Sequence, residues 1–182
     1  MRLKQKITVD EFLAWAEENP GRYELVDGEI LAMAPQRLGH ADAKYAFQTA
    51  LRAGIKKAGL PCHMVPDGAT VRVSETTAYE PDALVYCGPK KPSSAIEVPD
   101  PVIVVEVLSP GTRHIDLAAK LEGYFAVPSV RHYLISDPEK RVIIHHARDD
   151  GELLRTRIVR GGSIALDPPG IVIEFEACFE AA

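Results

Sequence analysis

Apolar residues change their spacing along this chain, and each change marks an element. Thr8 followed three residues later by Glu11 is a capping-box pattern, so a short helix is expected from there to Glu18, ended by Asn19-Pro20-Gly21. Two β-rich runs then flank Asp27-Gly28, a dipeptide suited to the positive φ angles of a type I′ turn, and predict a hairpin over 22–26 and 29–33. Residues 39–58 place Ala43, Ala46, Phe47, Ala50, Leu51 and Ile55 three or four apart, which predicts the principal amphipathic helix. Lys56 and Lys57 suit its negative end, before Gly59 and Pro61.

The second half reads mainly as strands. Strand-like segments fall at about 62–65, 69–74 and 79–86, and a Pro- and Ser-rich loop covers 90–101. Residues 102–108 are apolar on both sides of the alternation except at Glu106, as in a strand buried on both faces. A helix is expected at about 115–126, then strands at 130–137, 141–148 and 153–160, and a last β segment around 171–175. The whole predicts one mixed α/β domain over 1–182, with a central mixed sheet flanked by helices, an N-terminal helix and hairpin, a core over 8–160 and an acidic β extension over 161–182.

Composition narrows this picture. With 46% hydrophobic and 26% charged residues the chain is of ordinary globular type. The 21 basic and 26 acidic residues give a net charge of −5, which excludes a protein that holds nucleic acid by bulk charge. Asp167, Glu174, Glu176 and Glu180 carry four of the acids in a segment without a base, so 1–160 are nearly neutral. Cys62, Cys87 and Cys178 show no metal-ligand spacing, and neither a disulfide framework nor structural zinc is expected. The longest apolar run, 101–108, is too short for a bilayer, and the N-terminus has no stretch of signal-peptide length, so no membrane and a cytoplasmic location are expected.

Two acids stand where an acid is costly. Glu106 interrupts a buried strand, and an unpaired carboxylate there must be compensated or neutralised. Asp82 follows Pro81, which cannot donate to a ladder and so suggests an edge or a strand start. If the two strands are neighbours, both carboxylates reach one end of the sheet. A Mg²⁺ ion, with Mn²⁺ as a substitute, would relieve their repulsion, acidify a water for in-line attack and offset charge growing on a phosphate. The plainer readings are a satisfied core carboxylate for Glu106 and a strand-edge acid for Asp82.

The motifs taken together resemble a known family. YELVDGE at 23–29, His40 at a helix start, EPDALV at 80–85, VVEVLSPGTR at 104–113, DLAAK at 116–120 and RHYLISDP at 131–138 are similar, in that order, to the Uma-type restriction-endonuclease-like family of the PD-(D/E)xK nuclease superfamily. The resemblance runs from about residue 8 to about 160. It implies a restriction-endonuclease-like core, hydrolysis of DNA phosphodiesters, and Asp82 and Glu106 as metal ligands helped by the Val107 carbonyl. It also implies a catalytic role for a lysine. A strict ExK motif would put that lysine at 108, where this chain has Leu108, so Lys120 on the following helix is the natural substitute.

Glu24 and His40 complete the candidates. Pairing across Asp27-Gly28 puts Glu24 on one hairpin face with Val26, Glu29 and Leu31, and the resemblance makes Glu24 part of the acid set. Glu29 reads as a solvated turn flank. His40 could meet a phosphate or simply begin the helix. Ser109 and Thr112 could cap the next helix and leave its amides for an anion, and Lys120 could instead pair with Asp116. Arg155 and Arg157 suit a solvated strand face, and His145-His146 point to opposite sides and cannot chelate one ion. The expected partner is DNA and the expected assembly a homodimer, since cutting two strands calls for two sites. The alternatives are a non-catalytic nucleic-acid-binding or assembly module that keeps the fold, and a small-molecule phosphohydrolase using the same metal.

Overall fold

A computed structural model describes residues 6–109, 117–149 and 153–180. Helix α1, Val9–Glu18, starts on the expected reciprocal cap: Thr8 Oγ1 accepts the Glu11 N–H, and Glu11 Oε2 accepts the Thr8 N–H at 2.8 Å. Strands β1, Tyr23–Val26, and β2, Glu29–Ala32, form the hairpin, with φ of 50° at Asp27 and 78° at Gly28. The long helix α2 spans Leu38–Ala58 and ends on left-handed Gly59. Strands β3, Cys62–Pro66, β4, Val71–Arg72, β5, Ala78–Tyr79, β6, Ala83–Cys87, and β7, Ile103–Val107, follow. Helix α3, Leu117–Ala126, leads into β8, His132–Asp137, β9, Val142–Arg148, β10, Leu154–Val159, and the hairpin β11, Ser163–Leu166, and β12, Ile171–Glu174.

The large sheet has the order β10-β9-β8-β7-β6-β3, antiparallel except for the parallel pair β7–β8 that flanks α3. A smaller sheet runs β2-β1-β5-β4. The mixed α/β fold with a mixed sheet between helices is as expected. One face of the large sheet buries Val85, Ile103, Val105 and Leu134 beneath Phe47, Leu51 and Ile55 of α2 and the isoleucines of β11 and β12. The other buries Leu84, Val104, Tyr133 and Ile135 beneath Tyr124 of α3 and Tyr79 of the small sheet. Burial of these apolar side chains is the main favourable term for the arrangement. Among the described residues no helix is long and apolar enough to cross a membrane.

Three expectations need correction. The segment 79–86 is two strands in two sheets, because Pro81 cannot join a ladder and the Glu80 N–H is taken by a Glu24 carboxylate oxygen at 3.0 Å. The β extension expected over 161–182 is present, but as a hairpin of two strands rather than one segment around 171–175, since Ser163 and Ala165 make β11 a weak strand signal. Cys62 and Cys87 form a disulfide: their 25-residue separation carries no pairing signal, whereas the β3–β6 register sets them directly opposite each other. Thr112, Arg113 and Asp116 lie outside the described residues, so the proposed cap and the Asp116 pairing fall there too.

Candidate active site at the junction of the two sheets

Pairing of Ala83 with Val105 puts Asp82 and Glu106 one step beyond it, and Leu84 and Val104 on the same alternation line one face of the sheet. The two acids therefore stand at one end of adjacent strands. Glu24 comes from the small sheet, one residue before the Leu25–Ala78 pair, and faces the turn at 80–82 through which the chain passes between sheets. His40 and Lys44 come from the first turns of α2, and Lys120 and Tyr124 from α3. All five residues expected to be catalytic, Glu24, His40, Asp82, Glu106 and Lys120, line one cavity of about 700 Å³. The Val107 carbonyl is at its floor.

The interactions fall into two groups. In the first, Lys120 Nζ donates to Glu24 Oε1 at 2.9 Å and to Glu106 Oε1 at 2.8 Å, and the Tyr124 hydroxyl donates to Glu106 Oε1 at 2.7 Å. One lysine thus serves two carboxylates. In the second, Asp82 Oδ2 accepts the Val107 N–H at 2.7 Å, and Lys44 Nζ lies 3.4 Å from Asp82 Oδ1 while also pairing with Asp67. Arg22 bridges Asp67 at 3.0 Å and Glu80 at 2.5 Å. His40 Nε2 donates to the Val107 carbonyl at 2.8 Å and stays 3.8 Å from Asp82 Oδ2, so it reaches Asp82 through space rather than by a hydrogen bond.

Protonation follows from these contacts. Burial would raise Asp82, but neighbouring His40, the Val107 N–H and Lys44 reverse this and hold it below the usual carboxylate range. Glu106 behaves differently. Burial, reinforced by Asp82 and Glu24, outweighs Lys120 and pushes Glu106 up to about 7. Burial opposes the charge on Lys120, yet Glu106 and Glu24 hold its pKa above the ordinary lysine value. Asp82 raises His40 against its own burial. In the first group one ammonium stands between Glu24 and Glu106. In the second, Arg22 and Lys44, with His40 nearby, stand around Asp67, Glu80 and Asp82.

The donor set suits a hard cation. Asp82, Glu106 and the Val107 carbonyl offer oxygen only, and a Mg²⁺ ion completes its shell with water. Among the described residues no three His, Cys, Asp or Glu side chains gather at metal-binding distance.

Lys44, Asp67, Arg22, Glu80 and Tyr124 were not among the sequence candidates. Lys44 carried a signal, since it shares the helix stripe of Phe47 and Leu51 and is 3% exposed. Tyr124 follows Lys120 by one helical turn. Away from the site, His145 and His146 do face opposite sides: His145 is buried beside His132 at 3.0 Å, and His146 stacks on Tyr133. Arg155 and Arg157 are exposed.

Comparison with known proteins agrees with the fold and with the family resemblance. A family model, Uma2, described as "Putative restriction endonuclease", matches residues 9–180. An uncharacterized protein of Synechocystis sp., slr1290, is 29% identical over 151 residues, covering 82% of this chain and 78% of that one. The crystal structure of a "putative nuclease belonging to DUF820" from Anabaena variabilis superposes with a TM-score of 0.71 at 14% identity, over 95% of this chain and 97% of that one.

Proposed function

The chain belongs to the Uma2 family of restriction-endonuclease-like proteins, and from that premise we propose that it is a divalent-metal-dependent endonuclease hydrolysing DNA phosphodiesters. The observation that carries this reading is that Glu106 shares its one ammonium, Lys120, with Glu24, and burial beside Asp82 pushes it up to about 7, a repulsion that a cation would relieve. Asp82, Glu106 and the Val107 carbonyl would hold Mg²⁺ or Mn²⁺. When bound, the ion supplies an acidified water and neutralises charge on the phosphate.

The chain's own groups supply the rest. Asp82, tied to the Val107 N–H and flanked by Lys44, is ionised before any cation arrives. Lys120, anchored by Glu24, puts a fixed ammonium beside Glu106, where it can stabilise negative charge on a non-bridging phosphate oxygen. His40 fixes the Val107 carbonyl and has its proton within reach of the same corner. In the reaction a water oxygen bonds to phosphorus, one ester P–O bond breaks and the leaving alkoxide takes a proton, giving one phosphomonoester end and one alcohol end. A homodimer would present two such sites to two strands.

Purified protein is expected to nick plasmid DNA in Mg²⁺ or Mn²⁺, and Asp82→Ala or Glu106→Ala to abolish nicking while leaving the far-UV circular dichroism unchanged. Equal nicking by wild type and variants would overturn the reading. One observation favours the second reading, a non-catalytic module: Lys120 already bridges Glu24 and Glu106 as a closed ion-pair set. Thermal shift separates the two, since a metal site gains stability with added Mg²⁺ or Mn²⁺ and a packed set does not.

A further inference from the structure

We propose that the cavity takes an unpaired nucleotide of a DNA strand, its base against an apolar wall and its phosphodiester on the carboxylate floor. This rests on the nuclease reading and names the substrate form that fits the site. Depth is the first argument. Asp82 and Lys120 are 5% exposed and Glu24 8%, and all three line the cavity. The phosphates of a continuous duplex lie on the outside of a wide cylinder, so a cavity of about 700 Å³ receives the phosphodiester of a single nucleotide drawn out of the duplex or unpaired more readily than one held in the stack. That volume lies in the range, roughly 300–1,000 Å³, that encloses one small-molecule-sized unit. A single nucleotide is of that size.

The second argument is the character of the walls. Val26, Leu31, Met33, Pro35, Leu108 and Leu117 line the cavity above the charged floor. A site for sugar-phosphate alone would gain nothing from six apolar side chains, whereas a base removed from its stack has two apolar faces to cover. Leu31 is 47% exposed at the edge strand β2, so the wall continues to the rim and would otherwise lie open to water.

Charge is the third. Of the cations lining the cavity, Lys120 and Arg22 are held by internal carboxylates. Arg37, exposed at the mouth, makes no ion pair among the described residues and is placed for one flanking phosphate. With a net charge of −5 the chain gains little from bulk phosphate attraction, so burial of the base carries a larger share of the affinity. An unpaired nucleotide also avoids most of the unstacking cost that a paired one must meet.

Fluorescence anisotropy tests this with the wild-type chain in Ca²⁺ and three labelled probes of equal length: an oligo(dT) strand, a blunt duplex and an abasic deoxyribose-phosphate strand. The oligo(dT) strand is expected to bind about tenfold more tightly than either of the others. Leu31→Ser and Met33→Ser, whose thermal melts check folding, are expected to remove most of that advantage. Equal affinity for duplex, equal affinity for the abasic strand, or no binding of any probe overturns the inference. If the strand is preferred but nothing is cleaved in Mg²⁺, the nuclease reading fails and the inference stands. If intact duplex is bound equally well and nicked, the reverse holds.

Discussion

The Asp82 carboxylate accepts the backbone N–H of Val107 at 2.7 Å, so one candidate metal ligand is tied to the peptide that follows the other, Glu106. Strand pairing alone would align the two chains; this bond fixes the carboxylate as well. Asp82→Ala removes the acceptor and leaves the buried Val107 N–H unsatisfied, while Lys44 keeps Asp67, at a cost of about 1–3 kcal/mol. Asp82→Asn keeps an acceptor and should retain most of the stability. Both should lose the thermal shift given by Mg²⁺. Urea denaturation with and without Mg²⁺ checks this, and an unaltered metal response in Asp82→Asn would remove Asp82 from the ligand set.

Lys120 lies between Glu24 and Glu106, and its removal should expose their repulsion. Deleting one partner of a buried charged set costs about 3–5 kcal/mol. For Lys120→Met that cost should be larger at pH 8 than at pH 5, where Glu106, with its pKa of about 7, already carries a proton in wild type. Added Mg²⁺ should return part of the loss at pH 8. Denaturation midpoints at the two pH values decide it: an equal loss at both would mean that Lys120 contributes packing rather than charge.

Much of this site was legible in sequence because buried acids are conspicuous against apolar strands. Glu106 interrupts a run of valines, Asp82 follows a proline, and Asp27-Gly28 fixes the register that turns Glu24 inward. What sequence did not disclose depends on which strands meet. The break between Tyr79 and Ala83 sends one segment into two sheets, and the Cys62–Cys87 bond exists because β3 lies beside β6. Lys44 was hidden in an otherwise apolar helix stripe, although a lysine in such a stripe implies a buried acid opposite, and Asp82 and Asp67 are both there. Tyr124 reads as core and is core, yet its hydroxyl also donates to Glu106.

Glu106 should give the metal-free protein an inverted pH dependence. Its pKa is about 7 in the folded chain, against about 4.3 for an ordinary unfolded Glu. Between these values the folded state binds the extra proton, so this group's contribution to stability is highest at low pH and declines as pH rises through 7. The full swing is about 4 kcal/mol by that linkage. Asp82, held low, works the opposite way, with stability lost as pH falls through its folded pKa. Comparing wild type with Glu106→Gln by urea denaturation from pH 5 to 8 isolates the Glu106 part. The variant should gain on wild type as pH rises, and Mg²⁺ should stabilise wild type more at pH 8 than at pH 5; parallel curves would show that Glu106 is not the strained group.

Gly123 sets how closely α3 approaches the small sheet. A Cβ added there would stand 2.7 Å from Tyr79 Cε2, and Tyr79 is itself buried with its ring edge-on to Tyr124. Neither ring can yield without disturbing the other, so α3 must move outward in Gly123→Ala. Lys120 is one helical turn away and would move with it, lengthening its contacts to Glu24 and Glu106. The variant is expected to lose about 1–3 kcal/mol from overpacking. Beyond that, its Glu106 should titrate higher than in wild type, because Lys120 is what opposes burial there. Gly161→Ala, where the added carbon meets open space, is the control and should stay within about 0.5 kcal/mol of wild type. A Gly123→Ala protein with lowered stability but an unchanged pH midpoint would show that α3 repacks without moving Lys120, and that the glycine matters for packing alone.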